Sequence, residues 1–253
     1  MSSEDALLAV DLATAAGRAL MRLRGSTDLT GDALKQEGDR LAQATLAERL
    51  ADSRPDDAVL SEEAADDPRR LSADRVWIID PLDGTREFAE GRDDFAVHVA
   101  LWERGPGLTA GAVALPASGT VLRTDAPPAR PAPSGGRLRL AVSRSRPPEF
   151  VLSLARILDA ELVPMGSAGV KAMSVVAGVT DAYVHGGGQY EWDSAAPVAV
   201  ARAAGLHTSR LDGSPLEYNR RSPWSPEVVI CSHEIAGRLL DAIATTVPME
   251  GAR

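Results

Sequence analysis

The stretch Trp77-Ile78-Ile79-Asp80-Pro81-Leu82-Asp83-Gly84-Thr85-Arg86-Glu87-Phe88 carries the densest chemistry in this chain. An apolar, strand-like run ends directly in two carboxylates. Pro81 fixes one φ angle and Gly84 admits backbone conformations closed to other residues, so Asp80 and Asp83 should be held around a tight, rigid turn. Two carboxylates so placed can converge on one or two cations. Oxygen-only ligands at this density suit Mg²⁺, a hard ion that prefers octahedral oxygen coordination and often keeps waters and phosphate oxygens in its shell. Asp and Gly are also ordinary turn formers, so other residues must support the reading.

Two further acidic positions do so by order and context. Ser61-Glu62-Glu63 follows the apolar run Ala58–Leu60, and Glu191-Trp192-Asp193-Ser194-Ala195-Ala196-Pro197 places an aspartate just ahead of a helical pattern. Each alone has a plain explanation, as solvated loop charges or as an acid favoured by a helix N-terminus. Pro197 predicts a helix that starts no earlier than Ser194 as its N-cap, leaving Asp193 just outside. Gly166-Ser167-Ala168-Gly169-Val170-Lys171 also precedes a helical run. Its N–H groups and the Ser167 hydroxyl could meet an anion, with Lys171 as a nearby cation, although an ordinary strand-to-helix turn would read the same way. It is no Walker A loop, which would end in Gly-Lys-Ser/Thr. The glycines 186–188 after His185 fit either close approach to a ligand or a turn leading to Asp193. His98, inside the apolar run Phe95–Ala100, reads as a structural histidine. Four histidines and one cysteine show no zinc spacing, and Cys231 reads as a small buried hydrophobe.

The elements that must position these residues follow from periodicity. Apolar positions from Ala6 to Leu23 and from Leu34 to Leu50 predict two leading helices. Strands are expected at Ala58–Leu60, Val76–Ile79, Phe95–Trp102, Leu108–Leu115 and Thr120–Arg123, an α+β pattern. After a proline-rich connector between Asp125 and Gly136, strands at Leu138–Val142, Glu161–Val163, Ala182–Val184 and Val228–Cys231 alternate with helices at Glu149–Leu158, Ser167–Ala177, Ser194–Ala204 and Ile235–Thr245. That is an α/β pattern. The expected division is therefore 1–134, carrying most metal ligands, and 135–253, carrying the last ligand and the substrate contacts.

Composition narrows the partners. With 44% hydrophobic residues the chain can build a substantial core, and its net charge of −9 argues against nucleic acid, which is gripped by fields of Lys and Arg. A small phosphate ester is compatible if bound cations reverse the field in one acidic pocket. No signal peptide or membrane span is apparent, and a lone cysteine implies no internal disulfide framework, so a cytoplasmic protein is expected. Nothing bars a homodimer.

Ser-Glu-Glu at 61–63, Asp-Pro-Leu-Asp-Gly-Thr-Arg-Glu-Phe at 80–88 and Trp-Asp-Ser-Ala-Ala at 192–196 together resemble the inositol monophosphatase-like superfamily. Ser61 and Leu82, where inositol-type members more often carry Gly and Ile, and Arg86-Glu87-Phe88, similar to a Lys-Glu-Phe of nucleotidases, resemble its CysQ-type 3′(2′),5′-bisphosphate nucleotidase branch. The resemblance implies a layered αβαβα sandwich and two or three Mg²⁺ ions. They would be held by Glu62, Asp80, Asp83, Asp193 and the carbonyl of Leu82. Glu62, Thr85 and Asp39 would form the catalytic set, with Thr85 and Asp39 orienting the attacking water. Asp83, Gly84, Thr85, Arg86, Gly166, Ser167, Ala168, Lys171 and Asp193 would meet the substrate. Asp39 could instead be a solvated helix charge. The implied reaction is Mg²⁺-dependent hydrolysis of 3′-phosphoadenosine 5′-phosphate to AMP and phosphate, with the 5′-phosphosulfate as a second candidate, a link to sulfate assimilation and inhibition by lithium. Inositol monophosphatase or fructose-1,6-bisphosphatase activity is the alternative, and a non-catalytic metal or nucleotide sensor the further one.

Overall fold

The computed structural model describes residues 3–129, 135–225 and 227–246. Small and aliphatic residues at helical spacing build α1 (Ser3–Ser26) and α2 (Gly31–Ser53), which extend a few residues beyond the predicted limits. Ala9, Leu12, Ala13, Ala16 and Leu20 are fully buried along one face of α1. The first sheet follows in chain order: β1 (Ala58–Ser61), β2 (Arg75–Asp83), β3 (Ala96–Glu103), β4 (Gly107–Leu115) and β5 (Thr120–Arg123). β1 and β2 are parallel and the other pairs antiparallel. A one-turn helix, α3 (Thr85–Ala89), follows β2 and is too short to show a period in the sequence.

The second sheet has the order β7-β6-β8-β10-β9, built from β6 (Arg139–Ser143), β7 (Glu161–Met165), β8 (Ala182–Gly186), β9 (His207–Ser209) and β10 (Glu227–Cys231). Its helices are α4 (Glu149–Leu158), α5 (Ala168–Val176), α6 (Glu191–Ala203) and α7 (His233–Thr246). Apolar residues alternate along β2. Trp77 and Ile79 pack among α1 and α2, whereas Val76 and Ile78 pack among α5, α6 and the second sheet. Both faces of the strand are covered, which is why it reads as one continuous apolar run. Leu154, Leu158, Leu239 and Ile243 bring α4 and α7 onto the outer face of the second sheet. The layers are thus α1/α2, sheet, α5/α6, sheet and α4/α7, the αβαβα sandwich expected. Residues 130–134 of the connector, with Pro131, Pro133 and the proposed boundary at 134, lie outside the described residues.

Candidate metal centre

Asp80 and Asp83 are an odd number of residues apart, and in an unbroken strand they would point to opposite faces. The register between β2 and β3 shifts at this point: Asp80 pairs with His98 and Asp83 with Ala96, so one extra residue is accommodated around Pro81 and Leu82. This bulge returns both carboxylates to one side. Asp193, from the first turn of α6, joins them, and one ligand atom from each of Asp80, Asp83 and Asp193 lies within 4.8 Å of the others. Glu62 lies outside this trio, but the parallel register Ser61↔Ile79 sets it beside Asp80, where the Glu62 charge adds to the rise in the Asp80 pKa.

Crowding these acids has an electrostatic cost. Burial, the Asp193 charge and the neighbouring acids push Glu62 up to about 7. Asp193 is pushed up to about 6 by burial and the Asp83 charge, and Asp80, fully enclosed, is raised well above the usual carboxylate range by burial and by Glu62. A cluster that must hold protons for want of a counter-charge, with only hard oxygen donors, fits Mg²⁺.

Asp83 is treated differently. Burial alone would raise its pKa, but His98, the Ser167 hydroxyl and Lys171 lower it below the ordinary value. Its carboxylate accepts from the Ser167 hydroxyl and from the backbone N–H groups of Ala168 (3.1 Å) and Gly169 (2.6 Å). The anion that meets the N-terminus of α5 in this structure is therefore Asp83 itself. Ser167 also caps the helix, accepting from Val170 N at 3.0 Å. Lys171 is buried, and its ammonium donates to the carbonyls of Gly166 (3.2 Å) and Ser167. It pins the loop, rather than standing free as a cation.

His98 is the structural histidine that its apolar strand suggests, but it lies close to the acids. It is fully buried, its Nδ1 lies 3.1 Å from the Trp192 carbonyl, and its Nε2 lies 3.2 Å from Asp83 Oδ2 without alignment for a hydrogen bond. Burial would lower its pKa, but Asp83 raises it. An apolar strand hid a residue that stands directly behind the acids. Gly169 makes room for it: a Cβ there would lie 2.0 Å from His98 Nε2.

Thr85 and Asp39 come together as the resemblance implied. The Thr85 hydroxyl lies 3.4 Å from Asp39 Oδ1 and 3.1 Å from the Leu82 carbonyl, so its single proton can go to one acceptor at a time. Burial and Glu63 push Asp39 up to about 6. Gly84, at φ 90°, starts α3 in the left-handed region, where Cβ-bearing residues are strained. The Leu82 N–H donates to Asp80 Oδ1 at 3.1 Å. Arg86 is exposed, and among the described residues its side chain makes no hydrogen bond or ion pair, while its carbonyl accepts from Glu90 N at 2.9 Å.

The start of α6 requires a correction. The helix begins at Glu191 with Tyr190 as N-cap, and Pro197 lies inside it. Asp193 is its third residue and accepts from Tyr190 N at 2.6 Å, so the acid is part of the helix rather than outside it. Pro197 forgoes only the bond to the Asp193 carbonyl, at a point where the preceding carbonyl, that of Trp192, is engaged by His98. The glycines after His185 form a turn, with Gly187 and Gly188 at φ 102° and 87° and His185 Nε2 2.7 Å from the Gly187 carbonyl. Among the described residues no helix is long and apolar enough to cross a membrane.

Comparison with known proteins gives the family and the fold. Residues 2–248 match the inositol monophosphatase family. A 3′-phosphoadenosine 5′-phosphate phosphatase of Mycobacterium bovis is 54% identical over 238 residues, covering 90% of this chain and 89% of that protein. The 3′(2′),5′-bisphosphate nucleotidase CysQ of Escherichia coli K12 is 32% identical over 231 residues, covering 83% of this chain and 92% of that protein. Among solved structures, CysQ of Bacteroides thetaiotaomicron superposes with a TM-score of 0.80 at 24% identity, covering 91% of this chain and 98% of that one.

Proposed function

We propose, since the chain belongs to the inositol monophosphatase family, that it is a Mg²⁺-dependent phosphatase that removes the 3′-phosphate of 3′-phosphoadenosine 5′-phosphate. The observation that carries this reading is the convergence of Asp80, Asp83 and Asp193, with Glu62 beside them, in a chain 54% identical to a 3′-phosphoadenosine 5′-phosphate phosphatase. Residues 1–134 would supply Glu62, Asp80, Asp83 and the Leu82 carbonyl, and residues 135–253 would supply Asp193. When bound, two or three Mg²⁺ ions would lower the pKa of a water and offset the charge of the leaving oxygen.

The chain's own groups divide the remaining tasks. Thr85, with Asp39 behind it, would orient the attacking water and accept its proton into the pair, and the elevated pKa of Asp39 favours that role. Asp83, tied to the α5 N-terminus, is kept ionised and fixed in direction, which would suit it to hold a cation. Gly84, Thr85 and Arg86 would face the substrate phosphate, with Gly166, Ser167, Ala168 and Lys171 shaping the wall opposite. The 5′-phosphosulfate analogue, a place in sulfate assimilation, a cytoplasmic location and lithium inhibition belong to the same proposal.

The test is phosphate release by metal-stripped protein, with and without added Mg²⁺, on 3′-phosphoadenosine 5′-phosphate, myo-inositol 1-phosphate and fructose 1,6-bisphosphate in parallel. Mg²⁺-dependent preference for the nucleotide is expected. Preference for either sugar phosphate would reassign the substrate, and no release from folded, Mg²⁺-binding protein would favour a sensor.

A further inference from the structure

Aromatic residues make up only 4% of this chain, yet three of them gather at the helix start that carries Asp193. The Tyr190 and Trp192 rings stack with centroids 4.8 Å apart and planes 9° apart, and Trp224 meets Tyr190 edge-on at 5.2 Å. Trp192 packs partly into the core, but Tyr190 and Trp224 are 40% and 43% exposed. Large rings left in water on the turn that presents Asp193 call for an explanation.

Their exposure is held in place by buried polar contacts. Tyr190 and Trp224 face each other in an isolated antiparallel bridge, flanked by Glu191 N to Pro223 O at 2.7 Å and Ser225 N to Gln189 O at 3.0 Å. The Glu191 carboxylate, fully buried, accepts from the backbone N–H groups of Asn219 (2.6 Å) and Arg220 (2.9 Å). The buried guanidinium of Arg70 in turn donates to Asn219 Oδ1 (2.8 Å) and to the Arg220 carbonyl (2.9 Å). This network fixes the loop carrying Trp224 against the first turn of α6. The same turn presents Asp193, whose carboxylate accepts from the Tyr190 N–H. The ledge and the metal cluster are therefore registered to one another by backbone.

We propose that the Tyr190–Trp224 ledge is the platform on which the purine base of the substrate stacks, and hence the determinant of nucleotide over sugar phosphate. This deepens the functional reading above and rests on it. A flat π-face is what a base offers and an inositol or fructose ring lacks, and base stacking on aromatic side chains is sequence-tolerant and strong enough to set selectivity.

The test uses Tyr190→Leu and Trp224→Leu, exposed positions where leucine keeps apolar bulk, with Trp224→Phe as the conservative control. The selectivity ratio, kcat/KM on 3′-phosphoadenosine 5′-phosphate over kcat/KM on glycerol 2-phosphate, should fall by about tenfold or more in the leucine variants, chiefly through KM for the nucleotide, and recover in Trp224→Phe. Quenching of tryptophan fluorescence by AMP should weaken in parallel in Tyr190→Leu. An unchanged ratio in enzyme that hydrolyses the nucleotide overturns the platform while leaving the function standing. An equal loss on both substrates, or a change of oligomeric state with KM intact, overturns it too. If the wild type fails to hydrolyse the nucleotide, the functional reading falls, and persistence of AMP quenching in Tyr190→Leu would then refute the platform on its own.

Discussion

Gly169→Ala is the most discriminating small change in the site. Gly169 is the second residue of α5, where replacing glycine by alanine ordinarily favours a helix by up to about 1 kcal/mol. Here the new methyl would lie 2.0 Å from His98 Nε2 and 3.0 Å from both Cδ2 and Cε1. The ring has no open space to enter, being fully buried with its Nδ1 3.1 Å from the Trp192 carbonyl. Either the ring tips and loses that contact, or the start of α5 retreats and withdraws the N–H groups of Ala168 and Gly169 from Asp83. Overpacking and loss of one hydrogen bond to a charged group together should cost about 2–4 kcal/mol. In a chain of this size that is a fall in Tm of roughly 5–12 °C by thermal melting. Mg²⁺-dependent phosphate release should fall as well, because Asp83 is no longer fixed. In a His98→Ala background the same substitution should cost less than half as much, since the obstructing ring is gone. A variant as stable as the wild type, or an equal cost in both backgrounds, would refute this account of the glycine.

Other consequences can be checked with the same protein. Asp83→Asn should lower turnover by at least about a hundredfold, measured by steady-state phosphate release, because it weakens charge stabilisation worth several kcal/mol. Thr85→Ala removes the hydroxyl between Asp39 and the Leu82 carbonyl and should lower kcat by roughly a hundredfold, with a much smaller change in the Mg²⁺ concentration giving half-maximal rate. Glu62, Asp80 and Asp193 all have raised pKa values, so the folded, metal-free protein binds more protons than the unfolded chain between the ordinary carboxylate range and about 7. The metal-free protein should therefore lose stability as pH rises through that window, whereas Mg²⁺ must displace those protons and binds better above it. The rise in Tm produced by Mg²⁺ should be clearly larger at pH 8 than at pH 5.5, and an equal rise at both would contradict the assignment.

Much of the site was legible because the acids lie at the ends of strands and at a helix start, places that apolar periodicity marks. Asp80 and Asp83 could be paired from the Pro and Gly between and after them, but the bulge that turns both to one face is a property of the β2–β3 register. No local pattern shows it. His98 is structural as expected, but its nearness to Asp83 was not legible, because a strand buried on both faces carries no polar alternation to single out one residue as facing a site. Pro197 misled for a different reason: a proline rule that holds for an isolated helix was overridden where the Trp192 carbonyl is engaged by His98 of another element and Asp193 caps the helix start through Tyr190. α3 and β9, at one turn and three residues, are too short to be periodic. Trp224 lies 34 residues along the chain from Tyr190, and an isolated antiparallel bridge backed by the buried Arg70, Glu191 and Asn219 network brings the rings together.

The central claim is that Glu62, Asp80, Asp83, Asp193 and the Leu82 carbonyl hold the metals, and anomalous scattering from crystals soaked in Mn²⁺ tests it most directly. The account predicts at least two Mn²⁺ peaks within coordination distance of these oxygens, Asp83 bridging a pair of them, and loss of at least one in Asp193→Asn. Absence of ordered metal between Asp80, Asp83 and Asp193 in crystals of active protein, or metal bound only elsewhere, would contradict it.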